Sequence, residues 1–119
     1  MSHFRSFPTK FTDAEILKIT LRDLGICVSV DAAVRGYRGQ QICADIVAVL
    51  EGEYDIGWER NPDGSFDLIA DLLGVAKKHN LAVLIESINQ KYILNKTLCE
   101  LKQPGLQNAN VKLVVQNMS

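Results

Sequence analysis

From Ile42 to Leu72 apolar residues alternate with polar ones through three successive segments separated by turn chemistry, the period of half-buried β-strands. Cys43 to Glu51 places Ala44, Ile46, Ala48 and Leu50 on one face. Tyr54, Ile56 and Trp58 then alternate with Asp55, Gly57 and Glu59, and Asn61-Pro62-Asp63-Gly64 makes a tight reversal into Phe66, Leu68 and Ala70. This pattern predicts an antiparallel meander that is wet on one face and covered by helices on the other. Upstream, Ile26 to Val34 is rich in β-branched residues, with Ile26, Val28 and Val30 on one face, and reads as a strand entering the loop Arg35-Gly36-Tyr37-Arg38-Gly39. Ser2 to Phe11 reads as a further strand, which Pro8 confines to an edge or a bend.

Thr12-Asp13-Ala14-Glu15 has the spacing of a capping box, with Thr12 as the cap and Glu15 reaching back to it. The helix that follows buries Ile16, Leu17, Leu21 and Leu24, is stapled by Phe11 against Ile16, and ends at Gly25. Val75 to Gln103 contains neither Gly nor Pro and predicts a long second helix. At roughly 100° per residue, Leu81, Leu84, Ile85, Ile88, Tyr92 and Cys99 share one face with Asn95 at its centre, while Ile93, Leu94, Leu98 and Leu101 project elsewhere. A straight helix would therefore be apolar on two sides. Either it breaks or redirects its packing near Gln90 to Tyr92, which the prevalence of short helices favours, or the second stripe meets another protein. Pro104-Gly105 stops the helix, and Val111 to Val115 forms a final strand. The expected fold is one α+β domain over residues 1–119: an antiparallel sheet of four to six strands, with helices from Thr12 to Leu24 and from Val75 to Gln103 packed on one face.

Composition agrees with a single core. The chain has 119 residues, 47% hydrophobic and 23% charged, enough for one domain and too few for two. Thirteen basic against fourteen acidic residues leave a net charge of −1, so only a local patch could draw nucleic acid or anionic lipid. The start of the chain lacks the apolar run of a secretory signal, and no segment approaches the roughly 20 apolar residues of a membrane span, which predicts a soluble intracellular protein. Cys27, Cys43 and Cys99 are widely spaced among apolar neighbours and read as reduced core thiols. They form no C-x-x-C pair and stand near neither His3 nor His79, so no metal site and no cofactor is expected.

The loop Arg35, Gly36, Tyr37, Arg38, Gly39 is the best ligand-binding candidate, since two arginines and two glycines could receive a phosphate. Its plainer reading is a hairpin whose glycines supply positive φ and whose arginines are solvated. The G-x-x-G spacing matches the clamp of RNA-binding KH domains, but that clamp joins helices and these flanks are strands. Tyr37, Tyr54 and Trp58 could form a stacking surface, although Trp58, sharing a face with Ile56, reads as core. Asp45 and Asp55 could pair as acid and base, yet alternation puts each opposite an apolar row, where solvated residues belong. His79 beside Lys77 and Lys78 reads as a basic helix end. Ile93, Leu94, Leu98 and Leu101 are the partner-binding candidates. No nucleophile elbow, P-loop or H-E-x-x-H motif occurs.

Met1-Ser2-His3-Phe4, Ala33-Val34-Arg35-Gly36-Tyr37, Tyr54-Asp55-Ile56, Ile88-Asn89-Gln90-Lys91-Tyr92 with Asn95-Lys96-Thr97-Leu98, and the tail Leu106 to Val114 together resemble the uncharacterised family of hypothetical chloroplast reading frame thirty-five, found in cyanobacteria and algal plastids. The resemblance spans nearly the whole chain. It brings no catalytic residues with it, and it implies a cyanobacterial cytoplasm or a chloroplast stroma. It also implies, by the association of related bacterial domains with AAA-type ATPases and ferredoxin-like proteins, a protein partner rather than an enzymatic role. Three readings follow: an accessory module binding a protein through the second apolar stripe, with homo-oligomerisation left open; a binder of RNA or a phosphorylated small molecule at Arg35 to Gly39; and, third, an enzyme whose site is completed by a partner around Asp45 or Tyr92.

Overall fold

The computed structural model describes residues 3–102; the expected strand Val111 to Val115 and the tail after Gln103 lie outside them. Strands β1 (Arg5–Pro8), β2 (Cys27–Arg35), β3 (Gln41–Val49), β4 (Ile56–Arg60) and β5 (Phe66–Ala70) form a sheet in the order β1-β5-β4-β3-β2. Every pairing is antiparallel. Helices α1 (Ala14–Asp23), α2 (Leu72–Ala76) and α3 (Leu81–Leu101) complete the α+β architecture. Ile46 pairs with Trp58, and Trp58 with Leu68, so one apolar row crosses three strands beneath the helices. That row joins Leu17, Leu21, Val75, Ile88 and Tyr92 in the main core. Fully buried leucines such as Leu17 and Leu21 each contribute about 2 kcal/mol of transfer free energy.

The local chemistry differs from expectation at both helix starts. Asp13, not Thr12, caps α1: its carboxylate accepts the Ile16 N–H at 3.1 Å, and a carboxylate at this position also complements the helix dipole. Glu15 pairs instead with Lys18 at 2.7 Å. At the other end Gly25, at φ 76, supplies the left-handed turn, with Ile26 N–H donating to Leu21 O and Gly25 N–H to Arg22 O, a Schellman closure. Leu24 falls on this cap and is exposed, while Thr20 takes a buried place in the stripe by donating to Ile16 O at 2.7 Å.

The long helix breaks, but not near Gln90 to Tyr92. The interruption lies between Ala76 and Leu81, where Asn80 caps α3 by accepting the Val83 N–H at 3.3 Å. An asparagine cap restarts a helix without Gly or Pro, so α3 runs unbroken for 21 residues and carries both apolar stripes.

The sheet face away from the helices, expected to be wet, is covered in part, around Val47 and Gly57, while Ser6 and Glu59 on the same face stay exposed. Asp31 adopts φ 47, and the β2–β3 pairing skips from Val30↔Ile46 to Ala32↔Ala44. Beyond this bend the hairpin folds over the far face. Val34, Ala44 and Val47 form a second buried cluster with Phe4 packed against it, and Ala44 thereby leaves the row of Ile46 and Ala48. Gly57, opposite Val47 on β4, lies directly under Val34; a β-carbon there would collide with the Val34 side chain and come 2.9 Å from the Ala44 Cβ. Only glycine admits this approach.

Candidate functional site

Folding the hairpin over the sheet decides where the Arg35 to Gly39 loop lies. Tyr37–Gly39 forms a single 3-10 turn with Arg38 at φ 51 and Gly39 at φ 76. The His3 ring lies 4.3 Å from that of Tyr37, and the Arg38 guanidinium stands 5.1 Å over the same ring. The Phe4 ring rests so closely on Gly36 that a β-carbon there would overlap it. Arg35 turns inward. Its Nε donates to Asp55 Oδ2 and its Nη2 to Asp55 Oδ1, both at 2.8 Å, while Nη2 also donates to Leu50 O at 2.9 Å.

Asp55 is therefore buried, 1% exposed, rather than solvated as alternation predicted. It stands just before β4, next to Tyr54, which lies outside any strand, and its partner reaches it only through the hairpin bend. The Asp55 carboxylate accepts two further bonds, from the Arg35 amide at 3.0 Å and the Leu50 amide at 3.1 Å. Burial pushes this carboxyl up, but the guanidinium and the two amides together outweigh it and hold it below the ordinary aspartate value. The hydrogen bond to Asp55 pushes Arg35 upward, over a smaller opposing effect of burial. Asp45 stands apart from this pair and accepts the Arg60 N–H at 2.6 Å.

On α3 the structure separates the partner candidates. Ile93, 62% exposed, borders a cleft between α3 and the segment from Phe7 to Phe11. Leu94, Leu98 and Leu101 are half-buried and, at about 100° per residue, share a different side of the helix with Val83, which is 56% exposed. Asn95 points toward α1, donating to Thr20 Oγ1 and Asp23 Oδ2 at 3.2 Å each. Trp58 is core, as the face it shares with Ile56 implied.

The cleft was not foreseen. Its volume is about 560 Å³, and its walls are chiefly apolar, with Phe7, Leu68, Ile85, Ile88 and Ile93 among them and Trp58 also lining it. The Trp58 indole N–H is buried without a partner among the described residues. Two aromatic residues meet nearby: the Phe11 and Tyr92 rings stack at 4.0 Å, and the Tyr92 hydroxyl accepts the amides of Thr12 and Asp13 at 3.1 Å each. The sequence signal was Tyr92 on the core face of α3 opposite a strand ending in proline, which speaks to packing and not to an opening. The cysteines also depart from expectation: Cys27, Cys43 and Cys99 are free and exposed, because Cys27 and Cys43 alternate away from the core rows and α3 extends past the core at Cys99. Among the described residues no cluster of three His, Cys, Asp or Glu side chains could hold a metal ion, and no helix is long and apolar enough to cross a membrane.

Residues 20–116 match a family model described as protein of unknown function, DUF1257. The chain is 32% identical over 111 residues to the uncharacterized protein ycf35 of Guillardia theta, covering 92% of this chain and 86% of that protein. It is 28% identical over 125 residues to the uncharacterized protein ycf35 of Pyropia yezoensis, covering 98% and 97%. No solved structure matches.

Proposed function

The chain belongs to the DUF1257 family, and we propose that it is a non-catalytic accessory module that presents the Leu94, Leu98 and Leu101 side of α3 to a protein partner. One observation carries this reading: of the 21 residues of α3, only Ile88 and Tyr92 are buried, so the helix offers a second apolar row of half-buried leucines, continued by exposed Val83, that the other described residues leave partly open. The compartment that goes with it is a cyanobacterial cytoplasm or a plastid stroma. Capture of the tagged protein from a cyanobacterial extract, with and without nuclease, tests the reading. A stoichiometric protein that survives nuclease and is lost from a Leu94→Ser, Leu98→Ser variant with an unaltered thermal transition is expected. Undiminished recovery by that folded variant overturns it.

A second reading keeps RNA or a phosphorylated small molecule at the loop, now centred on exposed Arg38, since Arg35 is engaged by Asp55 while Arg38 and His3 both lie against the half-buried Tyr37 ring. Fluorescence anisotropy with labelled oligonucleotides, repeated on Arg38→Ala, decides it. Arg35 is left unchanged in that test because it holds the hairpin.

A further inference from the structure

The cleft between β1 and α3 has apolar walls that the described residues leave open. Phe7 on one side is 43% exposed and Ile93 on the other 62% exposed. Strand β1 is the outermost on this side of the sheet, so no strand among the described residues pairs with its outer edge. Lys10 is the one charged residue lining the cleft, whose volume is about 560 Å³. Such a space is closed by a few apolar side chains, and the chain itself carries them within reach.

Helix α3 ends at Leu101, and Pro104-Gly105 follows as a turn dipeptide. Residues 111–115 then set Val111, Leu113 and Val115 in alternation with Lys112 and Val114, the pattern of an extended segment with one apolar side. The helix rises roughly 14 Å between Ile93 and Lys102. The stretch from Lys102 to Val111, equal in residue number, has an r.m.s. reach of about 15–18 Å as flexible chain. Reach and span agree, the condition under which a tethered segment acts at millimolar effective concentration, roughly, with no competitor needing to be excluded. From there an extended run over 111–115 covers about 13 Å, against a rise of about 12 Å between Ile85 and Ile93, which both line the cleft. The match to the family model, residues 20–116, includes this segment.

We infer that residues 111–115 fold back from the end of α3 as an extended strap over the cleft, along the outer edge of β1, with Val111, Leu113 and Val115 between Phe7 and Ile93 and Lys112 facing solvent. The strap leaves open the side of α3 that carries Leu94, Leu98 and Leu101, so it stands apart from the partner reading and survives the failure of that reading.

Methyl NMR of the full-length chain tests this first without any variant. In a sample of monomer mass, nuclear Overhauser contacts from the methyl groups of Val111, Leu113 and Val115 to the Phe7 ring and the Ile93 methyls are expected. Leu113→Asp sets a charge against apolar walls and is expected to abolish the contacts of Val111 and Val115, whereas Lys112→Asp, on the outward side, keeps them. Unchanged α1 resonances show that each variant is folded; where they change, the contacts of the parent chain decide alone. Absence of these contacts in the parent, contacts of residues 111–115 with another surface, or contacts found only between chains in a mixture of labelled and unlabelled protein overturns the inference. So does their survival in folded Leu113→Asp, or their loss from folded Lys112→Asp.

Discussion

The Arg35 guanidinium and the Asp55 carboxylate form a two-pronged pair, Nε to Oδ2 and Nη2 to Oδ1 at 2.8 Å each, and the same two residues also pair through the backbone, Asp55 N–H donating to Arg35 O at 3.1 Å. One residue ends β2 and the other precedes β4. Their union fastens the folded-over hairpin to the connection between β3 and β4, and the Leu50 amide and carbonyl close the ring of bonds around it.

Removing the carboxylate leaves the guanidinium and two amides without their acceptor. Asp55→Ala is expected to destabilise the fold by about 3 kcal/mol, the range for breaking one side of a buried pair. Arg35→Lys, with Asp55 intact, is expected to lose most of the same contribution, because an ammonium cannot bridge both oxygens. Urea unfolding of the three proteins measures both values, and a loss within 0.5 kcal/mol, about the scatter of surface substitutions, contradicts the role of the pair.

The depressed Asp55 carboxyl gives this contribution a pH dependence of definite sign. A carboxyl that binds its proton less readily folded than unfolded stabilises the fold fully above the unfolded value, near about 4, and the stabilisation is lost as pH falls through the lower folded value. Thermal midpoints measured from neutral pH downward are expected to fall below about pH 4, and Asp55→Asn is expected to flatten that fall. Some slope remains in the variant, since exposed Asp63 is also held below its ordinary value by its hydrogen bonds from the Ser65 hydroxyl and amide.

Gly57 tests the bend itself. A methyl group there meets Val34 and Ala44 from the hairpin, so Gly57→Ala must lift the hairpin or strain β4, at about 1–3 kcal/mol. Hydrogen exchange read by mass spectrometry is expected to quicken in peptides from residues 31–44 and to stay unchanged in α1. Equal exchange throughout would show that the hairpin does not rest on Gly57.

The meander was legible because its information is local: alternation placed Ile46, Trp58 and Leu68 each on the apolar face of its own strand, and the register brings the three into one row. The turn from Asn61 to Gly64 was legible for the same reason, with Gly64 at φ 93 and its amide donating to Asn61 O. The hairpin bend was not, since it depends on a single non-glycine residue, Asp31, at positive φ, and on contacts that reach across the sheet. Asp55 looked solvated because alternation assigns a face without knowing that an arginine 20 positions earlier folds back onto that face. In α3 the signal was present at Asn80, a good cap, but a search for Gly and Pro overlooks a helix that restarts on asparagine. The cleft is a matter of unfilled volume, which no pattern of apolar positions records.

Exposure of the thiols predicts their chemistry. Cys27, Cys43 and Cys99 are all free and exposed, so the native protein is expected to react with a disulfide reagent such as dithiobis-nitrobenzoate at all three positions without denaturant. Had they been core thiols, reaction would require unfolding. Counting released thiolate in buffer and again in urea separates the two, and equal counts are expected.

The start of α1 offers the sharpest contrast between neighbouring residues. Asp13 accepts the Ile16 amide, whereas Thr12 contributes its own amide to the Tyr92 hydroxyl and its side chain is exposed. Asp13→Ala removes the cap acceptor and is expected to cost about 1 kcal/mol. Its 3.5 Å pair with Lys96 is a surface contact adding a few tenths at most, about the median for such pairs. Thr12→Ala leaves every one of these bonds in place and is expected to stay within about 0.5 kcal/mol of the parent. Asp13→Asn keeps a capping oxygen and loses only the charge, so it should fall between the two. Chemical denaturation of the three variants orders them, and a Thr12→Ala loss larger than that of Asp13→Ala would return the cap to Thr12 and shift the helix start by one residue.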